Sequence, residues 1–131
     1  MTIDYLEIEE AYDIHDYMIK IGGGRSGIRD FGLLHSAIER AKASFGGNDL
    51  YPNIWEKAGA IMQSLVKNHP FEDGNKRTAF FSTKRFIEIN GYETEFNNKE
   101  IVDFMITVDT NNLAIKEISA WLKKHSKKSQ Q

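Results

Sequence analysis

The chain has no cysteine, only two prolines among 131 residues, and no uninterrupted apolar stretch longer than a few residues. The first absence excludes a disulfide framework, a thiolate zinc site and a catalytic thiol, and it permits a reducing compartment. The third excludes a membrane-spanning helix. Charge of one sign is lacking too. With 17 Lys+Arg against 19 Asp+Glu, the formal net charge of -2 argues against a surface built to neutralise nucleic-acid phosphates. Met1 to Glu10 carries acids where a secretory signal would carry bases followed by an apolar run. A soluble cytoplasmic protein is expected, with no membrane partner and with nucleic acid disfavoured.

What remains is ordinary globular material: 40% hydrophobic, 11% aromatic and 27% charged residues, enough for one domain with one core. Apolar residues recur mostly at three and four, which predicts an all-α architecture. The expected helices carry Ile8, Ala11, Tyr12, His15 and Met18; Leu33 to Ala41 behind an Asp30 cap; and Ile54 to Val66 behind an Asn53 cap. His69 extends this third stripe by one turn. A fourth helix is capped by Asn75 and ends near Asn90, with Ala79, Thr83, Phe86 and Ile87 packed and with Arg77, Phe81, Lys84, Arg85 and Glu88 accessible. Helices opened by Asn98 and running from Leu113 to Leu122 complete the set. Tyr92 to Phe96 alternates like a short strand without a visible partner. Residues 1–122 thus read as a single domain and 123–131 as a basic, frayed tail.

The stretch His69-Pro70-Phe71-Glu72-Asp73-Gly74-Asn75-Lys76-Arg77-Thr78 joins the third helix to the fourth and gathers a base, acids, a glycine and two cations. Pro70 stops one helix, so the N–H groups around Gly74, Asn75 and Lys76 open the next and form an anion site. Gly74 keeps a side chain out of that cradle and permits a left-handed turn. Lys76 and Arg77 add a point charge and a planar fork suited to polyphosphate. Asp73 supplies the hard oxygen that Mg²⁺ prefers alongside phosphates. His69 is the one side chain here able to take a proton from a hydroxyl near neutral pH. Phe71 plugs the loop into the core. This inventory spells phosphoryl or nucleotidyl transfer.

The same residues resemble the signature of the Fic/Doc superfamily, His-Pro-Phe-x-Asp/Glu-Gly-Asn-Gly-Arg-x-x-Arg. His69, Pro70, Phe71, Asp73, Gly74, Asn75 and Arg77 agree with it, whereas Lys76 replaces a glycine and Phe80 the second arginine. Both departures resemble the Doc, or death-on-curing, toxin branch. So do the Gly22 to Gly27 loop, the Leu34 to Arg40 helix and Phe45-Gly46-Gly47. The resemblance implies a compact bundle of about six helices with at most one short hairpin or strand. It also implies an ATP-dependent protein Ser/Thr kinase, the toxin of a type II toxin–antitoxin pair, with elongation factor Tu as a target and translation arrest as the outcome. His69 is then the general base, Asp73 the Mg²⁺ ligand, Gly74 and Asn75 the nucleotide cradle, and Lys76 and Arg77 the charge-neutralising pair.

The resemblance implies that the second arginine of Fic proteins clamps the nucleotide for AMP transfer, and that its absence, as in Doc, presents the γ-phosphate. Adenylylation and a catalytically silent binding module are the competing readings. No Ser/Thr-x-x-x-Glu-Gly/Asn inhibitory segment occurs, so restraint is expected from another chain, and the Doc resemblance implies a Phd-like antitoxin whose terminal segment folds into a groove. Phe81, an aromatic on a charged face, is a candidate edge of the binding groove, and Lys84 and Arg85 are candidate phosphate or target contacts. His15 is expected to be structural, and His35 and His125 solvated.

Overall fold

A computed structural model describes residues 2–130. The chain runs α1 (Ile8–Gly22), α2 (Phe31–Glu39), a 3₁₀ turn (Arg40–Lys42), β1 (Ser44–Phe45), β2 (Asn48–Asp49), α3 (Ile54–Asn68), α4 (Asn75–Ile89), β3 (Tyr92–Thr94), α5 (Asn98–Thr110), α6 (Ile115–Lys124) and β4 (Ser126–Lys128). It is an all-α bundle of six helices, to which two small antiparallel pairs, β1–β2 and β3–β4, are attached. Helix starts follow local chemistry. Asp30 and Asn53 accept the Leu33 and Glu56 N–H groups, and Asn97, one residue before the expected opener, forms a reciprocal box with Glu100.

Helix α3 is the axis of the core. Besides the expected stripe, Lys57, Gly59, Ala60 and Ser64 are buried, so it is enclosed on more than one face. Small residues allow this: a Cβ on Gly59 would lie 3.1 Å from the Ile115 carbonyl oxygen, which shows how closely α6 crosses there. Lys57 is 1% exposed, and its Nζ donates to Asp49 Oδ2 at 3.0 Å and to the Ala41 carbonyl at 3.2 Å. Its buried charge is thereby compensated, and the β1–β2 hairpin is pinned to the core.

Three expectations change. The end of the chain is not frayed as far as Lys128: α6 runs to Lys124, and Ser126, Lys127 and Lys128 pair with Thr94, Glu93 and Tyr92. The unseen partner of the 92–96 strand is therefore this basic segment, in which Lys127 lies opposite Glu93 with its Nζ 2.6 Å from Glu95 Oε1. His125 is not solvated. It stacks on Trp121 at 3.9 Å and its two ring nitrogens meet the Trp121 carbonyl and Glu100. Finally, the outward side of α4 is not uniformly open, because α1 and α5 flank it and leave Arg77 and Phe81 half-buried.

Candidate active site

The loop from His69 to Gly74 is shaped by two left-handed residues. His69 ends α3 at φ 46° and ψ 57°, and Gly74 precedes α4 at φ 74° and ψ 21°. Because the chain turns left-handed at His69, the imidazole leaves the apolar stripe that the periodicity predicts for it and stands exposed. Its ring makes no hydrogen bond to the described residues. Pro70 is buried, and Phe71, 1% exposed, is the expected plug. Its ring lies flat against His15 at 3.8 Å with 5° between the planes. His15 Nε2 is 2.8 Å from the Asp73 carbonyl oxygen. A carbonyl only accepts, so that nitrogen carries the proton.

Asn75 is not the cap of α4. Gly74 holds that place, and the Asn75 amide instead straps the loop, accepting from Phe71 N–H and donating to Phe71 C=O, each at 3.0 Å. Gly74 is needed for its left-handed backbone and because a Cβ would sit 3.2 Å from Ile19 Cδ1 on α1. Its own N–H is occupied by Asp73 Oδ1. The N–H groups of Asn75, Lys76 and Arg77 have no acceptor among the described residues and form the positive end of α4. This set of open N–H groups starts one residue further along the chain than the expected cradle of Gly74, Asn75 and Lys76.

Asp73 is exposed, and its oxygens each accept one backbone N–H, Oδ2 from Arg25 at 3.2 Å and Oδ1 from Gly74 at 3.0 Å. These bonds, Arg25 first, hold its carboxyl below the usual range, and the Arg25 and Arg77 charges add to them. Lys76 Nζ, exposed, lies 3.4 Å from Asp109 of α5. Arg77 points elsewhere than expected: Nη1 and Nη2 donate to the Met18 and Gly23 carbonyls at 3.1 and 3.0 Å. It ties α4 to the end of α1 while its charge stays near Asp73. His69 and residues 72–77 together line an open polar cleft of about 380 Å³.

The remaining expected residues lie beside this cleft. Phe81 joins Phe80, Ile101, Val102, Met105 and Ile106 in an apolar groove of about 300 Å³ between α4 and α5, which shares Lys76 and Arg77 with the cleft. Lys84 and Arg85 face another groove, against α1. They pair with Glu88 at 2.7 Å and Glu10 at 3.0 Å, so neither reaches the cleft. Phe80 is 1% exposed and packs edge-on against Phe81 and Phe96, so the position of the second arginine holds core rather than a phosphate ligand.

A profile described as the Fic/DOC family matches residues 5–87, which is more than half of the chain. The chain belongs to the Fic/DOC family. Toxin Doc of Mycolicibacterium smegmatis (strain ATCC 700084 / mc(2)155) is 41% identical over 102 residues, 76% of this chain and 78% of the relative. Protein kinase doc of Escherichia phage P1 is 26% identical over 120 residues, 92% of this chain and 94% of the relative. Within the Fic/DOC family, these matches put the chain in the Doc branch.

Sequence reasoning missed the Fic/DOC loop's main supports, Arg25 and Arg29. Residues 27–30 run antiparallel to 70–72, with Arg29 N–H and Asp30 N–H donating to the Pro70 carbonyl and Glu72 N–H to the Gly27 carbonyl. The Gly22 to Gly27 loop is part of this brace through Gly27 C=O and Arg25 N–H. Nothing in the local sequence around 25–29 signals a partner about forty positions away.

Proposed function

We propose that the protein is a Doc-type toxin that transfers the γ-phosphoryl group of ATP to a serine or threonine hydroxyl of a protein. The observation that carries this reading is the pairing of an exposed, unbonded His69 imidazole with the free N–H groups opening α4 in one cleft. An imidazole with no partner in the protein is free to bond to a substrate hydroxyl, and the cradle is free to bond to an anion. In this reading His69 takes the hydroxyl proton as the hydroxyl oxygen bonds to the γ-phosphorus and the bond to the ADP oxygen breaks. Asn75, Lys76 and Arg77 N–H groups hold phosphate oxygens. Lys76 turns from its half-buried partner Asp109 toward the phosphates, a move that gives up little because an ion pair open to solvent is weak.

The residues fit Mg²⁺. Asp73 keeps outward lone pairs after accepting its two N–H groups, and no cluster of three or more His, Asp or Glu side chains occurs among the described residues. That donor set suits an ion carried mainly by phosphate oxygens and unsuited to an all-protein cage. Bound there, Mg²⁺ would neutralise phosphate charge as the group moves. Arg77 serves by fixing α4 to α1 and by the charge it keeps beside Asp73.

The burial of Phe80 supports phosphoryl over AMP transfer, since no cation stands where the adenylylating clamp would be. The Doc names of the two relatives support a toxin held by a Phd-like antitoxin, and the apolar groove along α4 and α5 is of the kind that accepts an amphipathic terminal segment. Elongation factor Tu is the target to try first. The test incubates the protein with elongation factor Tu, ATP and Mg²⁺ and reads the intact mass of the target. One added phosphoryl group that disappears with His69→Ala supports the reading; added AMP or an unmodified target overturns it.

A further inference from the structure

Among the described residues, only His69 and Asn112 combine a side chain with a positive φ. Left-handed backbone at a helix end ordinarily belongs to glycine, and the N–H that follows closes onto the last turn. Here the left-handed residue carries an imidazole, and the next is proline, which has no N–H to give and steers its predecessor toward extended backbone. His69 therefore holds a conformation that its own Cβ and its successor both disfavour, so the neighbouring chain must impose it.

Arg29 is in position to do so. Its Nε donates to the His69 carbonyl at 2.6 Å and its Nη2 to the Asn68 carbonyl at 2.7 Å. Its backbone N–H donates to the Pro70 carbonyl at 2.7 Å. One residue thus satisfies three successive carbonyls where α3 lacks the closing N–H. The side-chain part of this needs a planar fork, because a rotating ammonium does not fix two acceptors in one plane. Arg29 is itself held in register by the Ile28–Phe71 bridge and by Asp30 N–H on the same Pro70 carbonyl.

We propose that Arg29 is a positioning residue whose fork keeps the His69 backbone left-handed and so aims the imidazole into the cleft. The proposal rests on the reading of His69 as the base, and Arg29 acts through His69 rather than on the reacting atoms. The test compares the wild type, Arg29→Ala and Arg29→Lys, each as the full chain. Two quantities are read: the kinetics of phosphoryl transfer, and the backbone carbon chemical shifts of His69, which report φ and ψ without any turnover.

Arg29→Ala is expected to lower kcat about 10- to 100-fold, the size of effect that misplacement by about 1 Å produces. KM for ATP is expected to stay within about twofold, because the cradle is untouched. The His69 shifts should leave the left-handed range, and guanidinium ion added below denaturing concentration should restore part of both. Arg29→Lys should behave like the alanine variant. Unchanged His69 shifts, a loss confined to KM, or full function in Arg29→Lys would overturn the proposal; the last would mean that charge at the end of α3 suffices. Should Arg29→Ala fail to fold, Arg29→Lys is read in the same two ways and decides. A wild-type protein that transfers nothing would remove the base from His69, and the shifts alone would then decide whether Arg29 sets its backbone.

Discussion

Between residues 68 and 77 almost every fastening is a hydrogen bond to backbone, from Arg29, His15, Asn75 and Arg77, with Phe71 as the main apolar anchor. Between residues 96 and 125 the main fastening is a pile of rings. Trp121 lies between Phe104 at 3.8 Å and His125 at 3.9 Å, with Phe96 at 5.3 Å. Ring stacking is tolerant of direction and buries much area. Backbone hydrogen bonds are directional, so they can set the angle of a loop whose own polar side chains stay free for chemistry. The two histidines express the contrast: His69 is exposed and unbonded among the described residues, and His125 is stacked on Trp121 and bonded at both nitrogens.

The comparison breaks most easily at His69. His69→Ala should reduce phosphoryl transfer about 10²- to 10⁴-fold, while urea unfolding shifts by no more than about 0.5 kcal/mol. A large loss of stability would mean that the loop is also part of the fold's main support. At the other end, Phe104→Ala should cost about 3 kcal/mol of unfolding free energy and leave transfer per folded molecule unchanged. A kinetic defect there would erase the division between the two regions.

Gly22→Ala sharpens the boundary, because the added methyl collides with Arg77 Nη1. The side chain must swing off the Met18 and Gly23 carbonyls, at a cost of about 1–2 kcal/mol, even though alanine is the better helix former. Transfer should fall in the same variant, as α4 loses its tie to α1. Unfolding curves and initial rates on one preparation test both, and a gain in stability would show that the Arg77 bonds contribute nothing.

The smallest effect is a pH dependence. The Asp73 carboxyl is held below the usual range when folded, so ionisation favours the folded state. That contribution is complete above the unfolded value of about 3.9 and is lost as pH falls through the lowered one. The stability difference between wild type and Asp73→Asn should therefore be constant near neutrality and shrink in acid below about pH 4. A difference that does not change across this range would remove the backbone bonds from Arg25 and Gly74 as its cause.

Much of this could be read from the linear chain. Asp30, Asn53 and the Asn97 region announce helix starts because a cap is a bond across three residues, and the apolar period exposes the core faces of α2 and α3 directly. The order of residues 69–77 shows its polar inventory in its composition, and His69 and residues 72–77 line one cleft. The errors have a common origin. The helical period places His69 on a stripe that its left-handed backbone leaves, and it carries no sign that the fork of Arg77 meets carbonyls of α1. The tail seemed free because its partner strand lies more than thirty positions earlier.

By itself, then, the order of amino acids determined six helices, the caps at Asp30 and Asn53 and the polar inventory between α3 and α4, since all of these depend on neighbours within one or two turns. Only the tertiary structure decided which way the imidazole, the fork of Arg77 and the Asp73 carboxylate point. Their direction comes from carbonyl and N–H groups on α1 and on the 24–30 segment, brought across about forty or more residues when α1, α3 and α4 pack together. Helical period and composition carry no term for such a meeting.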